Sequence, residues 1–505
     1  MAAPKFCILG GGVSGLTCAR LLQRSLPHAE VTVLSSSRLG APAVCTSKGA
    51  KMQVLEQGFH NSILVNKNGR EALGLLKLLK LEDQVLSANI EASARRHIFH
   101  GRVQLVPGPQ HVLLHGPALL AEPLWPRSKK LDDESVFAFV TRRASKMLAT
   151  YLADPICRGQ LAGDAKELSV RTCFPRLWHN EQRFGSVFLG AALSTVLAYR
   201  RRSWMALDLL DPLLQRVAAG GRCYSFRAGL STLVGALEEQ LMNPPPGTNA
   251  ADLRRDASIE TLEPTESGKP RVQLRDGFQL EADCVIASIQ PTALGQLLKR
   301  SGLDFAVSEQ SLSELLLSIH NKSVAVVNLC YEKNVLKEKR LHGAGYFVGS
   351  EQHESMLAMS WDSQLYPEHG GSDGAHMTLY FTIPADAPQG VELERLMEQA
   401  AIKAVTQQLG IQEEPTEIRV KVWQDAVPQY LLGHHKKLQE FNAVRRRHLP
   451  WLQVSGPGYF GTRNIADEII DARELTDSLA RRFARFPGLV ENELEEDITR
   501  RMEGF

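Results

Sequence analysis

A short strand that runs straight into a glycine turn and out into a helix constrains this chain more than any other feature. Lys5-Phe6-Cys7-Ile8-Leu9 reads as a buried strand, Gly10-Gly11-Gly12-Val13-Ser14-Gly15 as the turn, and Leu16-Thr17-Cys18-Ala19-Arg20-Leu21-Leu22 as the helix. Gly10, Gly12 and Gly15 satisfy G-x-G-x-x-G. The first turns the chain tightly, the second lets backbone approach a pyrophosphate, and the third lets helix pack on strand. Phosphates belong at the N-terminus of that helix, beside Val13 and Ser14, where unpaired N–H groups and the helix dipole favour anions. Glycine turns of this spacing also occur where nothing binds. Here Leu16, Ala19, Leu22 and Leu26 give the helix a buried face and Val31-Thr32-Val33-Leu34 adds a second strand, so the stretch reads as a βαβ unit and nucleotide binding is the stronger reading.

The end of the second strand departs from that pattern. An acidic residue usually stands there and holds the ribose hydroxyls, but this chain has Leu34 or Ser35, followed by Ser36-Ser37-Arg38-Leu39-Gly40. A serine holds a ribose less strongly. Arg38 offers a charge contact to the pyrophosphate, with a solvated surface arginine as the equal alternative.

A chain of 505 residues has room for two or three domains and a large core. With 44% hydrophobic residues, 23% charged residues and a formal net charge of +2, neither disorder nor nucleic-acid binding is indicated. The eight cysteines (Cys7, Cys18, Cys45, Cys157, Cys173, Cys223, Cys284 and Cys330) show no C-x-x-C pair and no metal spacing, so buried free thiols and a reducing surrounding are expected, with no metal. The first strand leaves no visible signal peptide or cleavable presequence ahead of it, and no apolar run is long enough to span a membrane.

Further along, Leu73, Leu75, Leu76, Leu78 and Leu79 mark a helix, and Arg95-Arg96 opens a hairpin across Gly101. Residues 107–130 are rich in Pro and Leu and end on Trp125 and Lys129-Lys130, which suits contact with a membrane interface or a loop folded on its own domain. Asp132-Asp133-Glu134-Ser135 is expected to cap a helix from Val136, after which helical text continues to about Ala219. Strand text returns at Tyr224, at Ala257 to Leu262, Arg271 to Leu274 and Asp283 to Ile289, which suggests that distant segments complete the first sheet. Alternation at 323–331, 345–348, 356–361 and 376–382 predicts an antiparallel second sheet, with an amphipathic helix from Leu393 to Leu409. The last unit, Leu452 to Arg482, is strand, turn and helix and brings a second helix N-terminus to the nucleotide.

Several stretches together resemble the protoporphyrinogen oxidase family, within the amine-oxidase-like flavoproteins: the glycine turn, Cys157-Arg158-Gly159, Glu167-Leu168-Ser169-Val170-Arg171-Thr172-Cys173-Phe174-Pro175, Phe226-Arg227-Ala228-Gly229-Leu230, and Ser323-Val324-Ala325-Val326-Val327-Asn328-Leu329. The resemblance implies an α/β plus α architecture: a Rossmann-like FAD-binding domain from residues 1–90, 220–297 and 450–505, a mostly helical membrane-docking domain over 91–219, and an antiparallel substrate domain over 298–449. It implies oxidation of protoporphyrinogen IX in three two-electron steps, with FAD as cofactor and O2 giving hydrogen peroxide. It also implies a homodimer on the mitochondrial inner membrane, peripherally bound, with ferrochelatase as a partner. Carried onto this chain, the substrate contacts are Arg96 (Arg95 in the alternative register), Gly159, Phe347, Ser360 and Tyr380. The FAD contacts are Gly10, Gly12, Val13, Ser14, Gly15, Ser35, Arg38, Leu39, Gly40, Ile259, Trp423 and Gly461. No general base is implied.

The chain departs from the family pattern mainly at cofactor contacts. Besides the missing ribose acid, Ala41 follows Gly40, Gln57-Gly58-Phe59-His60 replaces L-G-P-R, Ala344 replaces an aromatic, and the last unit keeps little beyond Tyr459, Gly461 and Asp467. A member with weakened FAD binding that binds porphyrin, or serves as a partner protein in haem synthesis, is therefore the alternative to an active oxidase. Oxidation of an amine is the third reading, and the specific segments argue against it.

Overall fold

The computed structural model describes residues 3–36, 39–40, 43–95, 97–105, 122, 125, 132–193, 211–307, 310–370, 374–461 and 464–484. Its first sheet is parallel and five-stranded, in the order Asp252–Arg254, Glu30–Leu34, Lys5–Leu9, Cys284–Ala287, Leu452–Val454. Side chains alternate across a strand, and the sorting is visible residue by residue. Phe6, Ile8, Cys284 and Ile286 join one core with the helices Val13–Ser25, Lys67–Leu78, Ser231–Met242 and Ile465–Ala484. Cys7, Leu9, Val285 and Ala287 join the other, with the helices Pro291–Arg300, Leu312–Leu317 and His434–His448. A sheet covered on both faces needs near-continuous apolar strands, which is why the two N-terminal strands were readable from sequence.

Three segments distant from the N-terminal pair, at 252–254, 284–287 and 452–454, complete this sheet, but not all as expected. Ile259–Pro264 and Pro270–Leu274 leave it and pair with Gln279–Glu281 in a separate antiparallel sheet, and the edge is taken by Asp252–Arg254, a strand too short and polar to carry a periodic signal.

The second sheet has seven strands, ordered Glu417–Pro428, Asn321–Tyr331, Ala375–Thr382, Met356–Ser360, Gly345–Val348, His97–Phe99, Val103–Leu105. It is mixed rather than purely antiparallel, because Gly345–Val348 pairs in parallel with His97–Phe99. The 97–105 hairpin thus extends the substrate-side sheet and does not open the helical segment with which sequence grouped it. Likewise Leu312–Leu317 and His434–His448, grouped by sequence with the substrate domain, pack into the nucleotide-side core. One face of the second sheet (Ala325, Val327, Met377, Leu379) lies under the helix Val391–Ala404 through Leu393, Met397 and Ala401. The other (Val324, Val326, Ala358, Tyr380) meets Phe59 and Phe347.

The described parts of the helical segment, 132–193 and 211–219, form short helices rather than one long run, with left-handed breaks at Ala162 (φ 51°) and Gly185 (φ 74°). Its first cap is Ser135 alone, whose hydroxyl accepts from the Ala138 N–H. The preceding acids serve elsewhere. Asp133 accepts from the Ser169 hydroxyl at 2.8 Å and the Gly433 N–H at 3.0 Å, and His435 bonds Asp132 at 2.9 Å. The Leu-Ser-x-Arg segment is therefore a clasp holding the helical part to the 433–435 loop. The Pro- and Leu-rich stretch 107–130 falls almost wholly outside the described residues. Among those described, no helix is long and apolar enough to cross a membrane, all eight cysteines are buried free thiols, and no side-chain group is arranged to hold a metal.

Candidate functional site

Two cavities share a wall. The larger, about 540 Å³, starts at the glycine turn, where Gly10, Gly11, Gly12, Val13, Ser14, Ser35 and Gly40 line it, and passes Ile259 on its way to Phe59 and His60. Gly10 sits at φ +114°, and a Cβ there would fall 2.5 Å from the Ser288 carbonyl oxygen. A Cβ on Gly15 would fall 2.1 Å from the Gly10 carbonyl oxygen, so the helix Val13–Ser25 touches its own strand only because Gly15 has no side chain. Gly12 faces open space, and as N-cap it offers no side chain to the first N–H groups of the helix. Those N–H groups, the dipole behind them and the bare cradle fit a pyrophosphate. Gly11, not singled out by the motif, is equally constrained: a Cβ there would come within 2.4 Å of Leu39 and 2.7 Å of the Ser35 hydroxyl.

The remaining expected cofactor residues divide. Ser35 is buried, its backbone tied to Arg254 and Ala257, and it takes the place where the ribose acid would stand. Leu39 packs in the core beside Gly11. The Trp423 indole donates to the Gln57 carbonyl at 2.7 Å and packs among Phe59, Phe347 and Tyr380. Gly461, at φ +64°, backs onto the Thr172 carbonyl. Arg38 lies outside the described residues. Arg275 and Arg300 also line the cavity. They come from the separate antiparallel sheet and its helix, and no sequence signal placed them there.

Glu468, at the start of the helix Ile465–Ala484, also lines this cavity and accepts from the Ser14 hydroxyl at 2.9 Å. Burial, reinforced by Asp467 and Asp471 and opposed by the Ser14 bond, pushes its carboxyl up to about 7. A carboxylic acid thus stands against the residue that should meet phosphate.

The smaller cavity, about 240 Å³, gathers Gly159, Phe347, Ser360 and Tyr380, four residues from four elements that sequence could connect only by resemblance. A Cβ on Gly159 would strike the Phe347 ring at 2.0 Å, so the helix Asp154–Leu161 lies flat on the sheet through its glycine. Arg158 fixes that contact by donating to the backbone carbonyls of Val348 at 3.1 Å and Glu354 at 2.6 Å. The Cys-Arg-Gly segment is therefore a docking device as well as a wall.

Ser360 is committed within the protein. It accepts from Asn61 at 2.8 Å and donates to Asp362 at 2.6 Å, and Asp362 also accepts from Thr378 at 2.5 Å. Burial raises the Asp362 carboxyl. Asn328, from the Ser-Val-Ala-Val-Val-Asn-Leu segment, bonds Thr378 at 2.8 Å and the Glu56 carbonyl at 3.0 Å, tying the second sheet to the nucleotide side.

Arg96 lies outside the described residues. Among the described residues lining the smaller cavity the charged group is Arg222, ahead of the strand Cys223–Phe226, and none is a carboxylate. Ala344 is in the wall and leaves free the room an aromatic would fill. Four residues, Phe59, His60, Gln160 and Asn464, belong to both cavities. Burial pushes the His60 imidazole down to about 4, so it is neutral near pH 7.

The model of the family "Flavin containing amine oxidoreductase" matches residues 13–451. The chain belongs to this family: it is an FAD-dependent oxidoreductase. Within that family it is similar to human (Homo sapiens) protoporphyrinogen oxidase, at 30% identity over 472 residues covering 90% of this chain and 94% of the relative. It is also similar to coproporphyrinogen III oxidase of Bacillus subtilis (strain 168), at 24% identity covering 90% and 93%. In fold it matches the solved cyclohexylamine oxidase of Brevibacterium oxydans IH-35A with a TM-score of 0.63, 14% identity, and coverage of 96% of this chain and 100% of that one.

Proposed function

We propose that the chain oxidises protoporphyrinogen IX to protoporphyrin IX in haem synthesis, in three two-electron rounds with O2 as the final acceptor. The observation that carries this reading is the smaller cavity, an aromatic slot with Phe347 and Tyr380 in its wall that adjoins the FAD cavity and, among the described residues lining it, bears Arg222 and no carboxylate. Such a slot suits a broad apolar ring system with carboxylate side chains and disfavours an ammonium group, which would find no counter-charge there.

When bound, FAD supplies the hydride acceptor. The chain supplies position. The bare turn at Gly12 and the helix N-terminus hold the phosphates, and the Gly159–Phe347 contact and the Tyr380 ring fix the plane in which the substrate slides. Arg222, with Arg96 as the expected second cation, meets propionates. The buried walls exclude water from the junction.

Exposed Met147, Tyr151, Phe188, Leu189 and Leu193 on the helical segment support a peripheral seat on a membrane. The resemblance supports the mitochondrial inner membrane, a homodimer and contact with ferrochelatase. A second reading, porphyrin binding with weakened FAD affinity, is favoured by Ser35 in place of an acid and by Glu468 beside Ser14.

The test is anaerobic mixing of FAD-loaded protein with protoporphyrinogen IX. Bleaching of flavin absorbance with growth of porphyrin fluorescence, and peroxide on readmitting air, is the expected outcome. Protein that takes up no FAD yet binds porphyrin establishes the second reading, and bleaching by an amine but not by the porphyrinogen defeats both.

A further inference from the structure

Proton bookkeeping at the junction of the cavities leaves one residue without an assigned task. Removing two electrons from a porphyrinogen carbon as a hydride leaves a cation, and a proton must then leave, from a pyrrole N–H in two of the rounds and from the last bridging carbon in the other. Among Phe59, His60, Gln160 and Asn464, the four described residues that line both cavities, only His60 has a side chain that can act as a base. Of the other groups lining the substrate cavity, burial drives the Tyr346 and Tyr380 phenols well above their ordinary range, so neither is a phenolate. His97 lines the smaller cavity only, with its ring against Trp361. Arg222 has no basic form.

We infer that His60 is the proton acceptor of the oxidation, a role that rests on the porphyrinogen reading above. In each round a C–H bond breaks and its electron pair leaves with the hydrogen as hydride to FAD. In two of the rounds a pyrrole N–H bond then breaks, and in the third the C–H bond of the last bridging carbon; each proton passes to an imidazole nitrogen of His60, and the electron pair of the broken bond closes the new conjugated double bond. The imidazolium then returns the proton to solvent through the cavity mouth, so one hydride and one proton leave per round and the charge balances.

The chemistry suits a weak base. A pyrrole N–H next to a fresh cation is acidic, so a neutral imidazole is strong enough, and burial keeps His60 neutral. Asp467 from the C-terminal helix acts on it by charge, Arg222 and His97 line the substrate cavity, and Glu468, Arg275 and Arg300 line the FAD cavity, all outside the shared wall. Asp467 favours the imidazolium once it forms.

The test uses His60→Gln, which keeps the volume, and His60→Ala, which leaves a hole for added imidazole. FAD affinity is read by flavin fluorescence and hydride transfer by anaerobic flavin bleaching with protoporphyrinogen IX. FAD affinity within about threefold of the parent, bleaching slowed about 100-fold, and recovery of H60A in proportion to free imidazole support the role. H60Q that bleaches within about threefold of the parent, or loses FAD affinity in step with its rate, overturns it. A parent protein that binds FAD but is not bleached by the porphyrinogen overturns the substrate reading and this role with it. A bleaching parent with an unimpaired H60Q overturns only the role of His60.

Discussion

The two cavities meet at His60, yet they are built from different material. The FAD cavity begins in backbone: at Gly10, Gly11 and Gly15 an added Cβ collides with main chain or core, and Gly12 leaves a helix N-terminus bare. The substrate cavity is built from side chains standing on a sheet and one helix docked against it, with Phe347, Ser360 and Tyr380 each held by neighbours. A backbone site tolerates drift in surrounding side chains as long as its glycines stay. A side-chain site tolerates little. That difference accounts for where the chain departs from its family, since ribose and flavin contacts made by side chains have changed while the phosphate cradle has not.

The largest effect is expected from breaking the backbone site. Gly10→Ala puts a methyl on a φ of +114° and 2.5 Å from the Ser288 oxygen, and neither the strand nor the turn can give. FAD affinity should fall at least about 100-fold, roughly 3 kcal/mol, with a lower melting temperature for the apoprotein. A flavin titration beside a thermal melt checks both, and an alanine variant that binds FAD normally would remove the cradle from the argument.

A lesion in the side-chain site should leave FAD alone. Gly159→Ala drives a methyl into the Phe347 ring, and overpacking of this kind costs about 1–3 kcal/mol. Substrate-driven flavin bleaching is expected to slow about thirtyfold at a fixed porphyrinogen concentration, while the FAD dissociation constant is unchanged. If both constants move together, the cavities are one mechanical unit and the contrast between them fails.

Which parts of this could be read from sequence follows the same division. The glycine turn is local, with its strand, helix and anion site all within reach of the 3.6 and 2.0 periodicities. The strand Asn321–Tyr331 is buried along most of its length and was readable for that reason. Its neighbour Glu417–Pro428, at the sheet edge, does alternate, with Ile418, Val420 and Val422 packed against the core and Arg419 and Lys421 exposed, a pattern missed from sequence because these positions are only partly buried. The parallel pairing of 345–348 with 97–99 depends on a chain return of hundreds of residues, which no local pattern encodes. His60 and Arg222 belong to the site only because topology brings them there. His60 was visible as an oddity, a histidine where the family usually has arginine, but its position between two cavities was not.

Arg222→Ala tests the charge side of the comparison. The guanidinium is the full charge among the described residues lining the substrate cavity, and a propionate there gains from it in a setting open to solvent. Substrate affinity should drop about tenfold at low salt and less at high salt, with screening removing most of the difference by about 1 M. A loss independent of salt would mean that the residue shapes the mouth rather than attracting an acid. FAD binding again serves as the internal control.

The smallest expected effect concerns the acid in the FAD cavity, and its sign can be worked out. Glu468 has its folded-state pKa raised from 4.5 to about 7. The folded apoprotein therefore holds a proton that the unfolded chain has lost between pH 4.5 and 7, and this group's contribution to stability declines as pH rises through that window. FAD adds a second penalty in the same direction, because an ionised Glu468 hydrogen-bonded to Ser14 faces the cofactor's phosphates, whereas the neutral acid does not repel them. The dissociation constant for FAD should rise about fivefold between pH 6 and pH 8, a change of ~1 kcal/mol. Glu468→Gln keeps a polar group beside Ser14, abolishes the charge, and should flatten both the apoprotein stability slope and the FAD affinity slope. If the glutamine variant keeps the full pH dependence of FAD binding, Glu468 is not the titrating group. If the slope vanishes and affinity at pH 8 improves, the chain carries a side-chain handicap inside an intact backbone cradle, which is the contrast between the two kinds of site expressed within a single cavity.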